Sequence, residues 1–330
     1  MTKLKTVAIC QPDAYFLPVL DAIRDQAELV VGDSLETLEP HIPEAEVVMV
    51  AWVKNKPVSL RAFWPMFKKL RWVHSLSAGV EHLLFPELIE SPVVVTNARG
   101  VFKRALAEFA TLGALYFSRR VRLMLEQQRQ GEWKILEVEN IAGRTMGIVG
   151  YGEIGRECAL LAKGIGMRIA AVRRRHGLAA NDAQRDNVID KAYAPSELKD
   201  MLAASDVVVL SAPATPETYH MIGEPELRAM KRTAVLINIG RGTLVDEPQL
   251  VRALQEGWIA GAALDVFETE PLPKESPLWA MQNVLVSPHS ADRTVHPDWL
   301  EMAAQRFVDN FHLFAQGKPL EYVVDKRAGY

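Results

Sequence analysis

Cysteine is scarce in this chain: Cys10 and Cys158 are the only two in 330 residues. Both lie in apolar segments and read as buried thiols, which excludes a disulfide-stapled scaffold and suits a reducing compartment. No apolar stretch is long enough to span a bilayer. The opening Met1-Thr2-Lys3-Leu4-Lys5 runs straight into a strand-like segment over 6–10, leaving no room for a signal peptide. A cytoplasmic location is therefore expected, with organellar import of a precursor left open. An excess of one charge sign is missing too, since 38 basic residues face 41 acidic ones for a net charge of −3. The charges are dispersed, so neither nucleic acid nor a membrane surface is an expected partner. Internal repeats and low-complexity linkers are absent as well. What remains is a chain long enough for two domains, each with its own core. No metal site is assigned.

Strand-like and helix-like segments alternate throughout, which predicts parallel sheets with crossover helices. The first part reads as strands over 6–10, 29–31, 47–51, 72–75 and 93–96, with helices over 15–26, 60–67 and 80–84. A long helix is predicted over 102–130, its small residues allowing close packing. Strands then follow over 146–149, 169–172, 207–210, 234–239, 262–265 and 284–287. Helices are predicted over 157–165, 196–204 with Ser196 as N-cap, 247–256, and 299–314. The expected fold is α/β with two doubly wound parallel-sheet domains. Residues 101–291 carry the run Gly150-Tyr151-Gly152-Glu153-Ile154-Gly155 directly after a predicted strand, so they are expected to form a Rossmann dinucleotide-binding domain inserted into a flavodoxin-like substrate domain, 1–100 plus 292–330. Hinges are expected near Gly100 and over 288–291.

The strongest motif is Gly150-Tyr151-Gly152-Glu153-Ile154-Gly155. It follows an apolar run and opens a helical pattern, the context in which glycines give a tight turn, close approach to a pyrophosphate and close helix–strand packing. The helix N-terminus adds N–H groups and positive dipole for the phosphates. The second strand ends at Val172, and Arg173-Arg174-Arg175 follow where a ribose-binding carboxylate is expected. Arginine there suits a 2′-phosphate, so NADP(H) is the expected cofactor, with NAD(H) possible. Arg173 and Arg174 are the candidate contacts, and Arg175 is assigned to solvent.

Ligands of open α/β sheets bind outside the carboxyl ends of the strands. Read in order, those ends carry Gly150, Arg173, Ala212-Pro213, Gly240-Arg241-Gly242, Asp265 leading to Glu270, and His289. A cation, a carboxylate and an imidazole thus share the rim that should hold a nicotinamide. Each alone reads as an ordinary loop residue; together, beside the fingerprint, they mark a site.

These residues carry a resemblance. Ser77-Ala78-Gly79-Val80, the segment 147–155, Pro213-Ala214-Thr215-Pro216-Glu217-Thr218, Asn238-Ile239-Gly240-Arg241-Gly242, Asp265-Val266-Phe267-Glu268-Thr269-Glu270-Pro271 and Ser287-Pro288-His289 resemble the D-isomer-specific 2-hydroxyacid dehydrogenase family. That family includes glyoxylate/hydroxypyruvate reductases, D-lactate dehydrogenases and phosphoglycerate dehydrogenases. The resemblance implies that Arg241 clamps the substrate carboxylate and polarises the ketone. It implies that His289 donates a proton to the carbonyl oxygen, with Glu270 as its partner. The backbone N–H groups of Ala78 and Gly79 would bind the carboxylate from the other domain, and closure would exclude water. Asp265 resembles the carboxamide ligand, and Ala212, Pro213 and Thr218 the cofactor-lining loop, with Ile239 beside them. Trp52 and Trp299 are candidate pocket walls. The helix over 102–130, extended through Trp133, resembles a dimerisation arm, so a homodimer is expected.

Two departures from the family pattern stand out: Arg173 in place of an acidic residue, and Ser290-Ala291-Asp292 after the histidine, which puts Asp292 near the substrate mouth. The expected activity is reduction of a small 2-keto acid such as glyoxylate, hydroxypyruvate or pyruvate. The alternatives are a non-catalytic NAD(P)-sensing, corepressor-like protein of the same fold, and formate or phosphite oxidation. The resemblance to formate dehydrogenases is weaker, because their histidine partner is an amide where this chain has Glu270.

Overall fold

The computed structural model describes residues 3–51, 60–172, 187–295 and 298–330. The chain divides into two compact units, Met1–Phe102 with Thr294–Tyr330, and Lys103–Arg293. Among the described residues no helix is long and apolar enough to cross a membrane.

The first unit is built on β1 (Leu4–Ile9), β2 (Ala27–Gly32), β3 (Val47–Val50), β4 (Trp72–Ser75) and β5 (Val94–Asn97), in the order β2-β1-β3-β4-β5. Every pairing is parallel. The near-continuous apolar run of β3, buried at all four positions, is what a strand covered on both faces requires. The helix Trp299–Ala315 returns to this unit and covers β4: Phe307 stacks on Trp72 with ring centroids 5.2 Å apart, and Phe307 and Phe311 are fully buried. Asp298 caps it, its carboxylate accepting from the N–H groups of Leu300 and Glu301.

Within this core His74 is completely buried. Its Nδ1 lies 2.7 Å from the Thr96 hydroxyl, which also accepts from the Trp72 indole N–H at 2.8 Å, and its Nε2 has no hydrogen-bond partner among the described residues. Burial, with a smaller contribution from the Arg306 charge, pushes the imidazole pKa down from 6.5 to about 3. The folded state therefore holds His74 neutral, while the unfolded chain takes up a proton below pH 6.5. Stability from this group is complete above that pH and is lost as pH falls towards 3. Between neutral pH and pH 5 the loss should be about 2 kcal/mol. Urea midpoints of the parent and His74→Leu at both pH values check this. The variant should show a correspondingly smaller acid loss, and parallel curves would remove His74 as the cause.

The second unit contains β6 (Thr145–Val149), β7 (Arg168–Val172), β8 (Lys191–Tyr193), β9 (Val207–Leu210), β10 (Val235–Asn238), β11 (Gly261–Leu264) and β12 (Val284–Val286). Their order is β12-β11-β10-β9-β6-β7-β8, all parallel. The chain runs outward from β6 through β8, then restarts on the other side of β6 with β9. That reversal opens a crevice at the carboxyl ends of β6 and β9, the place where such sheets bind ligands.

Several predicted elements differ. The helix over 102–130 is two helices, Lys103–Ser118 and Val121–Gln130, broken at Arg120 with φ 53°. No glycine or proline marks the break. A long-range contact does: the Ser118 carbonyl accepts from Glu139 N–H instead of continuing the helix. The segment 60–67 forms two short 3-10 turns, the second built on Pro65, and 15–26 forms a 3-10 helix, Leu17–Ile23, with proline in its first turn. Residues 80–84 make one turn only, because Pro86 holds Phe85 extended and starts the helix Pro86–Glu90 instead. Ser196 is not the N-cap of its helix. It sits inside the 3-10 turn Pro195–Glu197 ahead of Leu198–Ala204, and the Glu197 carboxylate accepts from Ala194 N–H at 2.7 Å. The edge strand β8 is short, with two of its three residues exposed, and left no apolar signal in the sequence.

Candidate active site

At the crevice the glycines of the fingerprint do different things. Gly150 has φ +94°, and a Cβ there would lie 2.5 Å from Ala212 N. The Ser211 hydroxyl donates to its carbonyl at 2.8 Å, tying the end of β6 to the end of β9. A Cβ on Gly155 would meet the Gly150 carbonyl at 2.6 Å, so this glycine lets the helix Glu153–Gly164 pack close. Among the described residues, a Cβ on Gly152 would meet nothing within 4 Å. Gly152 is also the N-cap and brings no side chain to that helix, so no side-chain cap closes this helix N-terminus, the kind of end that binds phosphate through backbone N–H groups. This open cradle at a helix N-terminus fits a dinucleotide pyrophosphate. Gly147, outside the G-x-G-x-x-G pattern, is just as constrained, because a Cβ there would lie 2.2 Å from Ser205 Oγ.

The loop over 212–218 is shaped by Thr218, whose hydroxyl donates to the Pro213 carbonyl at 2.7 Å and accepts from Thr215 N–H at 2.8 Å. Thr218 thus forms the loop from within. Ile239 is buried, with its N–H on the Leu210 carbonyl. Arg173, Arg174 and Arg175, and also Trp52, lie outside the described residues. Trp299 packs on Phe102 with ring centroids 5.9 Å apart. In the first unit, Asn97 Nδ2 donates to the Ala78 carbonyl and the Ser77 hydroxyl to the Gly79 carbonyl, which fixes the 77–79 loop.

Arg241, Glu270 and His289 come together within the second unit. Arg241 follows β10 in a loop closed by one side chain: Asn238 Oδ1 accepts from Gly240 N–H at 3.1 Å, and Asn238 Nδ2 donates to the Arg241 carbonyl at 2.9 Å. The Arg241 guanidinium donates to the Gly240 carbonyl at 2.8 Å. Gly242 then abuts the next loop so closely that a Cβ would sit 1.9 Å from the Phe267 carbonyl. After β11, the fully buried Asp265 carboxylate organises the histidine loop. Its Oδ1 accepts from the Ser287 hydroxyl at 2.5 Å and from the N–H groups of Ser290 and Ala291 at 2.9 and 3.0 Å. Asp265 is thereby occupied in holding the turn that presents His289, a role the sequence did not reveal. His289 itself has φ 49°, a left-handed conformation, with its N–H on the Asp265 carbonyl at 2.8 Å.

His289 Nδ1 lies 2.7 Å from Glu270 Oε2, and Glu270 Oε1 accepts from Phe267 N–H at 3.0 Å. Both side chains are about one-third exposed. The Glu270 hydrogen bond raises the His289 pKa, against burial and the Arg241 charge. Burial raises the Glu270 pKa, but the His289 and Phe267 hydrogen bonds and the Arg241 charge outweigh it and leave a net lowering. The pair therefore favours imidazolium–carboxylate, with Nδ1 engaged by the carboxylate. Asp292 is half-buried, and burial, then the Asp265 charge, raise its carboxyl. Cys10 and Cys158 are buried, and burial pushes both thiols up to about 12, which suits inert packing rather than nucleophilic chemistry.

A second histidine–carboxylate pair escaped the sequence reading. His220, just beyond the cofactor-type loop, places Nε2 2.8 Å from Glu268 Oε1. Nothing in its sequence context, other than its place after Thr218, marks it.

A doubly wound sheet with a glycine cradle at its switch point, and an arginine, a glutamate and a histidine at the strand ends beyond, defines a dinucleotide-dependent dehydrogenase type of domain. The chain belongs to the D-isomer specific 2-hydroxyacid dehydrogenase family, whose NAD-binding-domain model matches residues 112–291. It is 41% identical over 251 residues to a glyoxylate reductase of Korarchaeum cryptofilum, covering 73% of each chain. Among solved structures, a D-isomer specific 2-hydroxyacid dehydrogenase family protein of Aeromonas salmonicida superposes with a TM-score of 0.82 at 31% identity, covering 98% of this chain and 100% of that one. A D-isomer specific 2-hydroxyacid dehydrogenase of Xanthobacter autotrophicus, solved with NADPH and MES, gives 0.82 at 29% identity and full coverage of both.

Proposed function

We propose that the protein is an NADPH-preferring oxidoreductase that interconverts a small 2-keto acid of the glyoxylate, hydroxypyruvate or pyruvate class with its 2-hydroxy acid. The observation that carries this reading is the 2.7 Å His289–Glu270 pair beside Arg241 on the rim of a dinucleotide cradle. When bound, the reduced dinucleotide supplies the hydride. Gly150, Gly152, Glu153, Ile154 and Gly155 hold its phosphates, with Ala212, Pro213, Thr218, Ile239 and Asp265 shaping the rest of its bed and Arg173 and Arg174 assigned to a 2′-phosphate. Arg241 binds the keto-acid carboxylate as a planar fork, with N–H groups of Ala78 and Gly79 assigned to the same carboxylate and Trp52 to the pocket wall. His289 gives its Nε2 proton to the carbonyl oxygen and takes it back in the reverse direction, while Glu270 keeps the ring charged and oriented. A homodimer belongs to the same proposal: Trp133 and Ile135 are 97% and 94% exposed, beside a second helix with Leu123, Met124 and Leu125 also exposed, a surface a partner would cover.

The test is dinucleotide oxidation against a panel of 2-keto acids with both cofactors. A higher kcat/KM with NADPH than with NADH is expected, and Arg173→Ala should weaken NADPH about 10–100-fold while sparing NADH. A parent that prefers NADH overturns the cofactor assignment; no turnover on any keto acid overturns the enzyme reading. Glu270→Gln keeps the shape and removes the charge. Since Glu270 raises the His289 pKa, the alkaline decline of keto-acid reduction should move to lower pH in this variant. Superimposable pH profiles would show that Glu270 does not set the histidine.

A further inference from the structure

The loop that carries Glu270 is also held by contacts of Glu268 that do not involve His289. Glu268, two residues earlier, accepts from His220 through its side chain at 2.8 Å, and its own N–H donates to Glu247 Oε2 at 3.0 Å. Immediately before Glu268, Phe267 N–H binds Glu270 Oε1, and Gly242 of the Arg241 loop lies against the Phe267 carbonyl. His220 is itself held. Its N–H donates to the Thr243 carbonyl at 2.8 Å, its ring stacks on Tyr219 with centroids 3.9 Å apart, and its backbone has φ 49°. It stands at the end of the loop that begins at the carboxyl end of β9. Two hydrogen bonds of His220, one from its ring to Glu268 and one from its N–H to Thr243, therefore tie three loops together: that of β9, that of Arg241 and that of Glu270.

We infer that His220 and Glu268 form a latch that positions Glu270, so that the charge state of His289 depends on a pair outside the Arg241, Glu270 and His289 trio. This deepens the proposed function and rests on its pairing of Glu270 with His289. The segment 265–270 follows the end of β11 at Leu264, and a loop of this kind keeps its geometry only where side chains fix it. Released at Glu268, Glu270 loses the frame that aims Oε2 at Nδ1. The hydrogen bond lengthens and the imidazolium is less favoured. The charged and titratable groups around the two pairs are Asp246, whose Oδ2 is 4.0 Å from His220 Nδ1, with Glu247 and Glu268 on one side, and Arg241, Asp265, Glu270 and Asp292 around His289. Removing the His220 ring also changes this field, so the test must separate position from charge.

The experiment measures pH profiles of kcat and kcat/KM, and dinucleotide affinity, for His220→Ala, His220→Gln, Glu268→Gln and each of the three combined with Glu270→Gln. His220→Ala should lower kcat about 10-fold, a modest fraction of what a direct proton donor provides, move the alkaline limb to lower pH and leave dinucleotide affinity within about 2-fold. His220→Gln keeps a donor for Glu268 without the ring, and should restore most of kcat and the limb. In the Glu270→Gln background none of the three should move the limb further, because the residue they position is gone. An unchanged limb in His220→Ala, or equal shifts in the Ala and Gln variants, overturns the latch. If Glu270→Gln alone leaves the limb unmoved, it is the Glu270–His289 pairing that fails, and the latch with it.

Discussion

Replacing His289 should lower keto-acid turnover by about 10²–10⁴-fold, the usual cost of losing a positioned general acid, with little effect on dinucleotide binding. The separation is expected because the two functions rest on different parts of the second unit. The glycine cradle is held by Gly150 against Ala212 and by Gly155 against the Gly150 carbonyl. His289 hangs from Asp265 through the Ser287, Ser290 and Ala291 contacts. Its left-handed φ of 49° means that a substitution also tests the backbone. Asparagine tolerates that region better than alanine, so His289→Asn and His289→Ala should lose turnover to a similar extent if chemistry is at stake. A much smaller loss in the asparagine variant would trace the effect to loop strain. Turnover near the parental rate in both would remove His289 as the proton donor.

The sequence made the architecture legible because parallel strands buried on both faces leave runs such as Val47–Val50 and Val207–Leu210 that are apolar at every position. The helix Glu247–Glu256 was equally readable, since Asp246 caps it from the side chain and Gly257 ends it in a left-handed turn. Reading failed where a distant contact decided. Nothing within 103–130 announces that Glu139 takes the Ser118 carbonyl. The fingerprint glycines and their three jobs were recognisable as a pattern, but which one turns, which one faces open space among the described residues and which one packs came only with the fold. At the strand ends the arginine, glutamate and histidine could be named in order. Asp265 was visible as a residue but not as the anchor of three donors, since that requires the turn over 287–291 to fold back on it. His220 and Glu268 were invisible for the same reason: they lie 48 positions apart and meet only through the fold.

Arg241→Ala should damage reduction by a different route from His289→Ala, and the pH profile should tell them apart. Without the guanidinium, the substrate carboxylate loses its charged partner, which costs roughly 2–5 kcal/mol, or about 30- to 5,000-fold in kcat/KM. The Arg241 backbone should stay in place, because Asn238 binds the Arg241 carbonyl and Gly242 packs on Phe267 whatever side chain stands at 241. Arg241 also acts on the histidine, since its positive charge lowers the His289 pKa against the pull of Glu270. Removing it should let the imidazolium persist to higher pH, so the alkaline limb of the surviving activity should move up. That direction is opposite to the shift expected for Glu270→Gln. Arg241→Lys restores charge without the bidentate fork, and should return the limb towards the parental position while leaving KM for the keto acid raised. An unchanged KM in Arg241→Ala, or a limb that moves to lower pH, would mean that Arg241 neither binds the carboxylate nor faces His289 as the geometry implies.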